Sequence, residues 1–270
     1  MLRCGRVWQP RLLNRVIQAL PTSTRVVKVA TDAGDAFIKG LGNPGGATAL
    51  ASELVAAELA NWLGMPMPDF AVVAVADLII EMMDVGPMTR GPAFASRSVD
   101  GAVGDGTDGF LRRLSNPDNV ATLVLFDTWI RNADRCPPSN ALDPEPRRDN
   151  LFFRTKGRTY ELIAIDHTHC FVEGDLEDEI ASPDLIHDPR TYGLFPEFQG
   201  FITERAVRSA AARLRGIDVG VAREIVESVP REWGPSSAAR DVWVDVIVQR
   251  GSFVAATLPD RLVDQMALDV

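Results

Sequence analysis

The strongest local folding signal in this chain of 270 residues lies between Asn150 and Asp166. The segment reads NLFFRTKGRTYELIAID, in which two runs rich in apolar and β-branched residues flank a turn near Gly157. This pattern predicts a β-hairpin with strands at about 151–154 and 160–165. Antiparallel pairing about that turn puts Asn150 almost opposite Asp166, and opposed residues have Cα atoms roughly 4.5–5.5 Å apart. An amide oxygen and a carboxylate are therefore expected at one end of the hairpin.

A third polar residue, Asp134, precedes the hairpin. It follows the predicted end of a helix and begins a proline-rich loop that leads to Asn150. Mg²⁺ prefers a few protein oxygens together with substrate phosphates, and Asn150 and Asp166 can supply such oxygens. A loop aspartate near bound magnesium and phosphate can orient a substrate hydroxyl and take its proton. Each residue alone is typical of an ordinary turn or strand end, whereas the three together favour phosphoryl transfer.

The first hundred residues show mainly strand patterns around one helix. Short β-branched and aromatic runs at 25–30 and 36–40 predict another hairpin. Good helix formers from about 48 to 63 predict a long helix that ends at Gly64. A buried strand is predicted at 70–76, a short helix at 77–83, and an inter-lobe region over the glycine-, proline- and serine-rich residues 85–109.

The rest of the chain is mainly helical in pattern, apart from the hairpin already described. Asn116 followed by Pro117 predicts a helix to about residue 132, with Asn116 as its N-cap. The segments 204–214 and 219–229 are the clearest later helices. Strands that come first and helices that come later predict an α+β fold.

Composition limits the classes of partner and compartment. The net charge is -9, so a nucleic-acid partner is not expected, since phosphate backbones recruit basic faces. Cys4, Cys136 and Cys170 are too few and too scattered for a disulfide framework, which suits a reducing cytoplasm. No secretory signal is evident in the first residues. The longest apolar run, at 70–76, is shorter than a bilayer span. A cytoplasmic protein that does not cross a membrane is therefore predicted.

Three short motifs in the middle of the chain resemble the catalytic segment of HipA-like kinases. They are N-x-D-R around Asp134, N-L-F-F beginning at Asn150, and I-D-H around Asp166 with an aromatic residue following. This bacterial family lies near the phosphatidylinositol-kinase-like part of the protein-kinase-like fold. The resemblance implies that Asp134 is the catalytic-loop aspartate, Asn150 the asparagine that binds metal, and Asp166 the aspartate that binds magnesium.

One departure from the family pattern leaves two candidates for the asparagine. In the family the asparagine follows the aspartate by only a few residues, whereas 15 residues separate Asp134 from Asn150 here. Asn140 lies within that insertion and competes for the role. Asn150 is the preferred assignment because Leu-Phe-Phe follows it and because the hairpin pairs it with Asp166.

The N-terminal part contains a lysine and a glutamate that suit nucleotide binding. Lys39 ends an apolar strand, and Glu53 lies in the helix that follows. A strand lysine that a helix glutamate holds in place, and that reaches the α- and β-phosphates of ATP, is a requirement of kinase chemistry. Residues 37–73 also resemble the N-lobe of HipA-like kinases, which implies these roles for Lys39 and Glu53.

The resemblance extends over roughly residues 24–172 and implies a two-lobed protein-kinase-like fold. Residues 91–99 resemble the family's linker between the lobes, where backbone groups around Phe94 and Ala95 would bind adenine. The implied lobes are a small β-rich N-lobe with one main helix, which binds nucleotide, and a larger, mostly helical C-lobe, which carries the catalytic residues. Their expected ranges are 1–95 and 96–270.

The resemblance implies an ATP- and Mg²⁺-dependent kinase that transfers the γ-phosphoryl group to a hydroxyl, most simply that of a protein serine or threonine. The insertion after Asp134 motivates an alternative, a catalytically impaired pseudokinase that serves as a nucleotide-binding or interaction module. Some HipA-like proteins are toxins that a partner neutralises. The additional N-terminal sequence usual in those toxins is not found in this chain, so an antitoxin-type partner has no support from the sequence.

A different class of protein is suggested by Gly40, Gly42 and Gly45, which form a G-x-G-x-x-G motif between a predicted strand and a predicted helix. That context is typical of a Rossmann-type NAD(P) site. A hairpin rather than a first parallel strand precedes the motif, and no strand–helix alternation follows it. Both features disfavour the Rossmann hypothesis.

Overall fold

The computed structural model describes residues 2–141 and 145–268. The strands are β1 (Leu13–Ala19), β2 (Val27–Thr31), β3 (Gly34–Gly40), β4 (Phe70–Val75), β5 (Glu81–Met82), β6 (Gly86–Pro87), β7 (Gly91–Arg97), β8 (Gly101–Val103), β9 (Phe152–Lys156) and β10 (Thr159–Ile163). The α-helices are α1 (Gly46–Leu63), α2 (Asn119–Ile130), α3 (Leu176–Glu179), α4 (Asp184–His187), α5 (Glu204–Leu214), α6 (Val219–Glu227) and α7 (Ser237–Leu268). This order confirms the predicted α+β arrangement of a β-rich first part and a mostly helical second part.

Five strands form an antiparallel sheet in the order β1-β2-β3-β7-β4. Neighbouring side chains on a strand point to opposite faces of a sheet. In β7, Ala93 and Ala95 belong to a core that includes Trp8, whereas Phe94 belongs to the larger core that contains α1. In β3, Ile38 also packs in the core with Trp8. Its neighbour Lys39 therefore faces the side of the sheet that α1 covers.

The glycine-rich motif joins β3 to α1 and does not belong to a Rossmann fold. The five-stranded sheet is antiparallel throughout, whereas a dinucleotide-binding fold requires a mostly parallel sheet. Gly42 has a φ of 86°, a backbone conformation that favours glycine, so the motif serves a tight connection. The antiparallel sheet excludes the Rossmann hypothesis.

The predicted hairpin around Gly157 is confirmed as β9 and β10, which form a three-stranded sheet with β8. Lys156 pairs with Thr159, so the turn consists of Gly157 and Arg158. The ladder ends where Phe152 pairs with Ile163. If its register is continued, Asn150 lies opposite residue 165, one position before Asp166. Asn150 itself ends a 3-10 turn.

Helix α2 is the central element of the helical part. Eleven of its residues, from Val120 to Ile130, are buried, as expected for a helix that other elements surround. It shares one hydrophobic core with α1, α5, α6 and α7. Helix α5 begins and ends where the sequence predicts, and α6 ends two residues earlier than predicted. No helix within residues 2–141 and 145–268 has both the length and the apolar character that spanning a bilayer requires.

The predicted N-cap role of Asn116 is wrong, because α2 begins three residues later at Asn119. The side chain of Asn116 instead accepts a hydrogen bond from the N–H of Leu162 and donates one to its carbonyl, both at 3.0 Å. Leu162 lies on β10, an edge strand whose outer backbone groups lack a neighbouring strand. The Asn116 side chain therefore forms hydrogen bonds with the backbone groups at that edge and joins the start of α2 to the hairpin.

Three other elements differ from the sequence predictions. Residues 77–83 are not helical, because β5 pairs with β6 there. Residues 91–97 of the predicted linker at 85–109 form β7, whose alanines are buried between β3 and β4 despite the surrounding glycine and proline. Strand β1 was not predicted, because it is an edge strand whose side chains are largely exposed and therefore show no clear apolar pattern. The lobe boundary expected between residues 95 and 96 falls inside β7 and stays a prediction.

Candidate active site

Lys39 and Glu53 form a buried ion pair between β3 and α1. The Nζ atom of Lys39 lies 2.6 Å from Oε2 of Glu53. The whole residues are 8% and 3% exposed. The strand alternation that turns Lys39 toward α1 explains its direction, and Glu53 lies on the second turn of α1, where it meets Lys39. The two residues predicted for nucleotide binding are therefore brought together.

Asp166 joins this pair from the loop that follows β10. Its Oδ1 atom accepts a hydrogen bond of 2.8 Å from Nζ of Lys39. Asp166 has a φ of 53°, a left-handed conformation that costs a non-glycine residue of order 1–3 kcal/mol. The residue in this backbone conformation is the one whose carboxylate contacts Lys39.

Thr168 completes the cluster, although no motif in the sequence indicates it. Its hydroxyl accepts a hydrogen bond of 2.6 Å from Lys39. Its oxygen also lies 2.8 Å from Oδ1 of Asp166 and 3.0 Å from Oε2 of Glu53. A hydroxyl has one proton to donate, so Thr168 can donate to only one carboxylate at a time. Thr168 therefore lies between the Lys39–Glu53 pair and Asp166.

The charges of this cluster stabilise one another. Burial by itself would raise the pKa values of Glu53 and Asp166, but the ammonium group of Lys39, together with hydrogen bonds from His167 to Glu53 and from Thr168 to Asp166, holds both below their ordinary values. Burial would likewise lower the pKa of Lys39, but the two carboxylates hold it above its ordinary value. All three groups are therefore charged at neutral pH. Two carboxylates against one ammonium leave a negative charge that suits a cation.

Asp134 and Asn150 are also in contact, despite the insertion between them. The side-chain amide nitrogen of Asn150 donates to Oδ2 of Asp134 at 3.0 Å and to the backbone carbonyl oxygen of Asp134 at 3.2 Å. Arg147, near the end of the insertion, forms an ion pair with Oδ1 of Asp134. Asn140 is exposed and forms no hydrogen bond within the described part of the chain. This geometry favours Asn150 over Asn140. Residues 142–144 of the insertion lie outside the described residues.

A fully buried arginine, Arg135, holds this loop against the hairpin. Its guanidinium donates to the carbonyl oxygen of Asn150 and, at 2.8 Å, to that of Ile165. It also forms a buried ion pair of 2.8 Å with Asp127 on α2. One side chain thus fixes the backbone next to Asp134, Asn150 and Asp166. The sequence contains a signal for this role, because an aspartate within an apolar helix such as α2 requires a partner.

The carboxylate of Asp127 is enclosed on all sides. Its Oδ1 atom accepts a hydrogen bond of 3.1 Å from the side chain of Asn132, and its Oδ2 atom is paired with Arg135. Gly193 packs directly against it: a Cβ atom at this glycine would lie 2.4 Å from Oδ2 of Asp127. Gly193 also has a φ of 72°. Both the close approach and the left-handed backbone require glycine there.

The assignment of adenine binding to Phe94 and Ala95 is contradicted by the sheet. Both residues lie on β7, which pairs with β3 on one side and β4 on the other. Because β7 is a central strand, their backbone groups are used in the ladders and cannot bind a ligand. They are also buried, with 2% and 0% exposure.

A cavity of about 460 Å³ opens beside Asp134. Its polar lining includes Arg131, Arg147, Arg190 and His169. Ser23, from the loop between β1 and β2, also lines it, and its Oγ atom lies 3.2 Å from Nε2 of His169. The cavity therefore leaves open space next to Asp134.

The oxygens of Asp166 and Asn150 are of the kind that binds a magnesium ion together with phosphates. Within residues 2–141 and 145–268, no group of three or more His, Cys, Asp and Glu side chains is arranged to hold a metal ion. In the same residues, Oδ2 of Asp166 and Oδ1 of Asn150 accept no hydrogen bond, so both have free lone pairs. Mg²⁺ typically uses one or two protein carboxylates and completes its shell with water and phosphate. The donor set therefore suits Mg²⁺ that arrives with a nucleotide.

Comparison with known families gives a match over most of the chain. The model of a family described as HipA-like kinase matches residues 27–252. The chain belongs to the HipA-like kinase family. The matched range contains the Lys39–Glu53 ion pair, the loop at Asp134, and the β9–β10 hairpin with Asp166 after it. Membership supports a kinase-type phosphotransferase, as the resemblance of the catalytic motifs implied.

Solved structures support the fold. A proinflammatory kinase of Helicobacter pylori, CtkA, superposes with a TM-score of 0.59 over 94% of this chain and 97% of its own, at 12% sequence identity. This similarity confirms the kinase-like fold of the HipA-like chain. A candidate aminoglycoside phosphotransferase from Ralstonia eutropha covers 91% of this chain and 93% of its own at 15% identity, with a TM-score of 0.30 that is too low to support an argument. Comparison with curated protein sequences found no significant match.

Proposed function

We propose that this HipA-like chain is an ATP- and Mg²⁺-dependent kinase that phosphorylates a hydroxyl, namely that of a protein serine or threonine. The observation that carries the proposal is the position of the Lys39 ammonium, 2.6 Å from Glu53 and 2.8 Å from Asp166. It joins the nucleotide-binding pair to the proposed metal ligand in one cluster. The choice of a protein acceptor rests on the resemblance to HipA-like kinases alone.

Each residue has one role in this proposal. Lys39, fixed by Glu53, binds the α- and β-phosphates of ATP, and Asp166 and Asn150 hold Mg²⁺. The ion supplies neutralisation of the phosphate charge when it is bound. Asp134 orients the acceptor hydroxyl and takes its proton. The Asn150 side chain holds one oxygen of Asp134, so the other oxygen is the one that meets the acceptor.

The pseudokinase alternative rests on the insertion after Asp134. Within the structure this insertion brings Asn150 back to 3.0 Å from Asp134, which supports an active site rather than a disrupted one. The two functions differ in one measurement. A pseudokinase would be stabilised against heat by ATP and magnesium but would transfer no phosphate to any protein or small-molecule acceptor.

Replacement of Asp134 by asparagine tests the proposed base. We expect phosphoryl transfer from labelled ATP to fall by roughly 100-fold or more, because general base catalysis typically contributes that much. The matched control is Asp149→Asn, which removes an exposed carboxylate from the same insertion and should retain normal activity. Equal transfer by the wild type and Asp134→Asn would remove the catalytic assignment.

Replacement of Thr168 by valine tests the hydroxyl at the centre of the cluster. Hydrogen bonds to charged groups contribute about 1.5–3 kcal/mol, so binding of ADP with Mg²⁺ should weaken by roughly tenfold or more. Isothermal titration at several Mg²⁺ concentrations measures this change. Thr168→Ser, which retains the hydroxyl, should bind normally.

A control for the loss of any buried threonine hydroxyl is Thr122→Val. Thr122 is also buried, but within the described residues its hydroxyl donates only to the carbonyl of Asp118, at 3.3 Å. Normal binding by this variant together with weak binding by Thr168→Val would assign the effect to the cluster. Equal binding by Thr168→Val and Thr168→Ser would show that the hydroxyl is not needed.

A further inference from the structure

Arg147 is more exposed than the other arginines near Asp134, among which Arg190 is paired with Asp188. Arg135 is fully buried in its pair with Asp127. The Arg131 side chain is 12% exposed and is held by Asp188 and by the carbonyl of Phe171. The Arg147 side chain is 59% exposed, and within the described residues its only side-chain partner is Asp134.

The backbone of Arg147 is nevertheless fixed at the proposed active site. Its N–H donates to the carbonyl of Arg135 at 2.9 Å, and its carbonyl accepts from the N–H of Asn150 at 3.1 Å. The backbone of Arg147 is thus held between Arg135, which follows the proposed base Asp134, and Asn150, a proposed metal ligand. An exposed guanidinium on an anchored backbone can exchange partners without any movement of the loop.

Binding of an acceptor at the position of Arg147 involves such an exchange. Asn150 donates to Oδ2 of Asp134, and the Arg147 guanidinium donates to Oδ1. An acceptor hydroxyl that takes the place of Arg147 at Oδ1 moves the guanidinium into the adjacent cavity, which Arg147 also lines. The phosphoryl group must arrive at that same place, because it is transferred to the hydroxyl that Asp134 holds.

We propose that Arg147 is a further catalytic residue, whose guanidinium leaves Asp134 when the acceptor binds and then donates hydrogen bonds to the phosphoryl group in transfer. This proposal rests on the kinase function proposed above. In the step, the acceptor oxygen forms a bond to the γ-phosphorus while the bond from that phosphorus to the β–γ bridging oxygen breaks. ADP leaves with the bonding electron pair, and the hydroxyl proton passes to Asp134. Arg147 stays protonated throughout.

The chemistry of the transition state favours an arginine at this position. Negative charge is spread over the equatorial oxygens of the transferring group, and an arginine that meets them increases kcat by roughly 10³–10⁵-fold in other phosphoryl-transfer enzymes. The planar guanidinium matches two phosphoryl oxygens at once, which a lysine cannot do. If Arg147 instead only covered Asp134 as an inhibitory contact, removing its side chain would increase kcat.

The experiment compares Arg147→Ala, Arg147→Lys and the control Arg158→Ala in the full chain. Arg158 is an exposed arginine of the β9–β10 turn, so its removal changes the net charge equally without touching the site. We expect kcat to fall by roughly 100-fold or more in Arg147→Ala and to be recovered only weakly by Arg147→Lys. Free guanidinium ion should restore part of the kcat of Arg147→Ala. Unchanged or increased kcat in Arg147→Ala would overturn the proposal.

A binding measurement separates this proposal from the kinase function on which it rests. ADP with magnesium and aluminium fluoride imitates the transferring group, whereas ADP with magnesium does not. Arg147→Ala should lose roughly tenfold in affinity for the first ligand and keep its affinity for the second. This selective loss would support the role of Arg147 even if the wild type transferred phosphate to no tested acceptor, a result that would refute only the kinase function. Equal affinities of Arg147→Ala and the wild type for both ligands would overturn the role of Arg147.

Discussion

Asp166→Asn is expected to reduce phosphoryl transfer on the order of 10³-fold, comparable with the loss of a preorganised charge in other active sites. The substitution removes the carboxylate that contacts Lys39 at 2.8 Å and that is proposed to bind Mg²⁺. The Lys39–Glu53 pair at 2.6 Å remains, so the fold should be retained. Transfer from labelled ATP at a magnesium concentration that just saturates the wild type measures the loss, and circular dichroism checks the fold.

The matched control for Asp166→Asn is Asp178→Asn. Asp178 is exposed and forms no hydrogen bond within residues 2–141 and 145–268, so its replacement should leave transfer unchanged. Raising the magnesium concentration should recover part of the activity of Asp166→Asn, because the variant binds the ion less tightly. Retention of more than about a tenth of the wild-type rate would contradict the metal assignment, since the loss of a metal ligand should reduce the rate by more than about tenfold.

Arg135→Met should destabilise the folded protein by about 3–5 kcal/mol, which is the usual cost of removing one member of a buried ion pair. The substitution leaves Asp127 as a buried carboxylate with no cationic partner on Oδ2, and it leaves the carbonyls of Asn150 and Ile165 without their donor. Urea denaturation followed by tryptophan fluorescence measures the loss. The control Arg158→Met removes an exposed arginine and should change stability by less than about 0.5 kcal/mol.

A double variant shows whether the unpaired charge causes this loss. Asp127→Leu combined with Arg135→Met replaces both charges with apolar side chains, so it should be more stable than Arg135→Met alone. If the double variant were the less stable of the two, the unpaired carboxylate would not be the main cause. A loss of under about 1 kcal/mol in Arg135→Met would show that the buried pair contributes little to stability.

Local sequence patterns predicted the elements whose conformation depends mainly on their own residues. The apolar runs on either side of Gly157 predicted the hairpin, and its tight turn restricted the register to within one residue of the observed pairing. The periodic helix from Glu204 to Leu214 was likewise predicted over its full length. In both cases propensity, spacing and burial indicate the same structure.

Elements that depend on distant partners were predicted poorly. Strand β7 contains glycine, proline and serine, and it becomes a strand because β3 and β4 enclose it on both sides. Asn116 has the residue type of an N-cap, but the open edge of β10 takes its side chain instead. Neither partner can be recognised within a short window of sequence.

The same division applies to the candidate site. Lys39, Glu53, Asp134, Asn150 and Asp166 were selected from local motifs, and the structure places them in two groups of contacting residues. Their roles stay predictions. Arg135, Arg147 and Thr168 were not selected, because their importance comes from partners that lie far away in the sequence or beyond a long insertion.

The guanidinium of Arg135 has a consequence for the motions open to the loop. It contacts groups on α2, at Asn150 and at Ile165, so releasing the backbone beside Asp134 would strand a buried charge and several acceptors at once. Such an opening should cost about 3–5 kcal/mol, the usual cost of leaving one member of a buried ion pair without its partner. Amide protons around Asp134 and Asp166 should then exchange with solvent only in rare openings, whereas the exposed side chain of Arg147 can change partners without them. The backbone at the proposed base is therefore expected to be rigid, and the motion of the site to lie in a side chain.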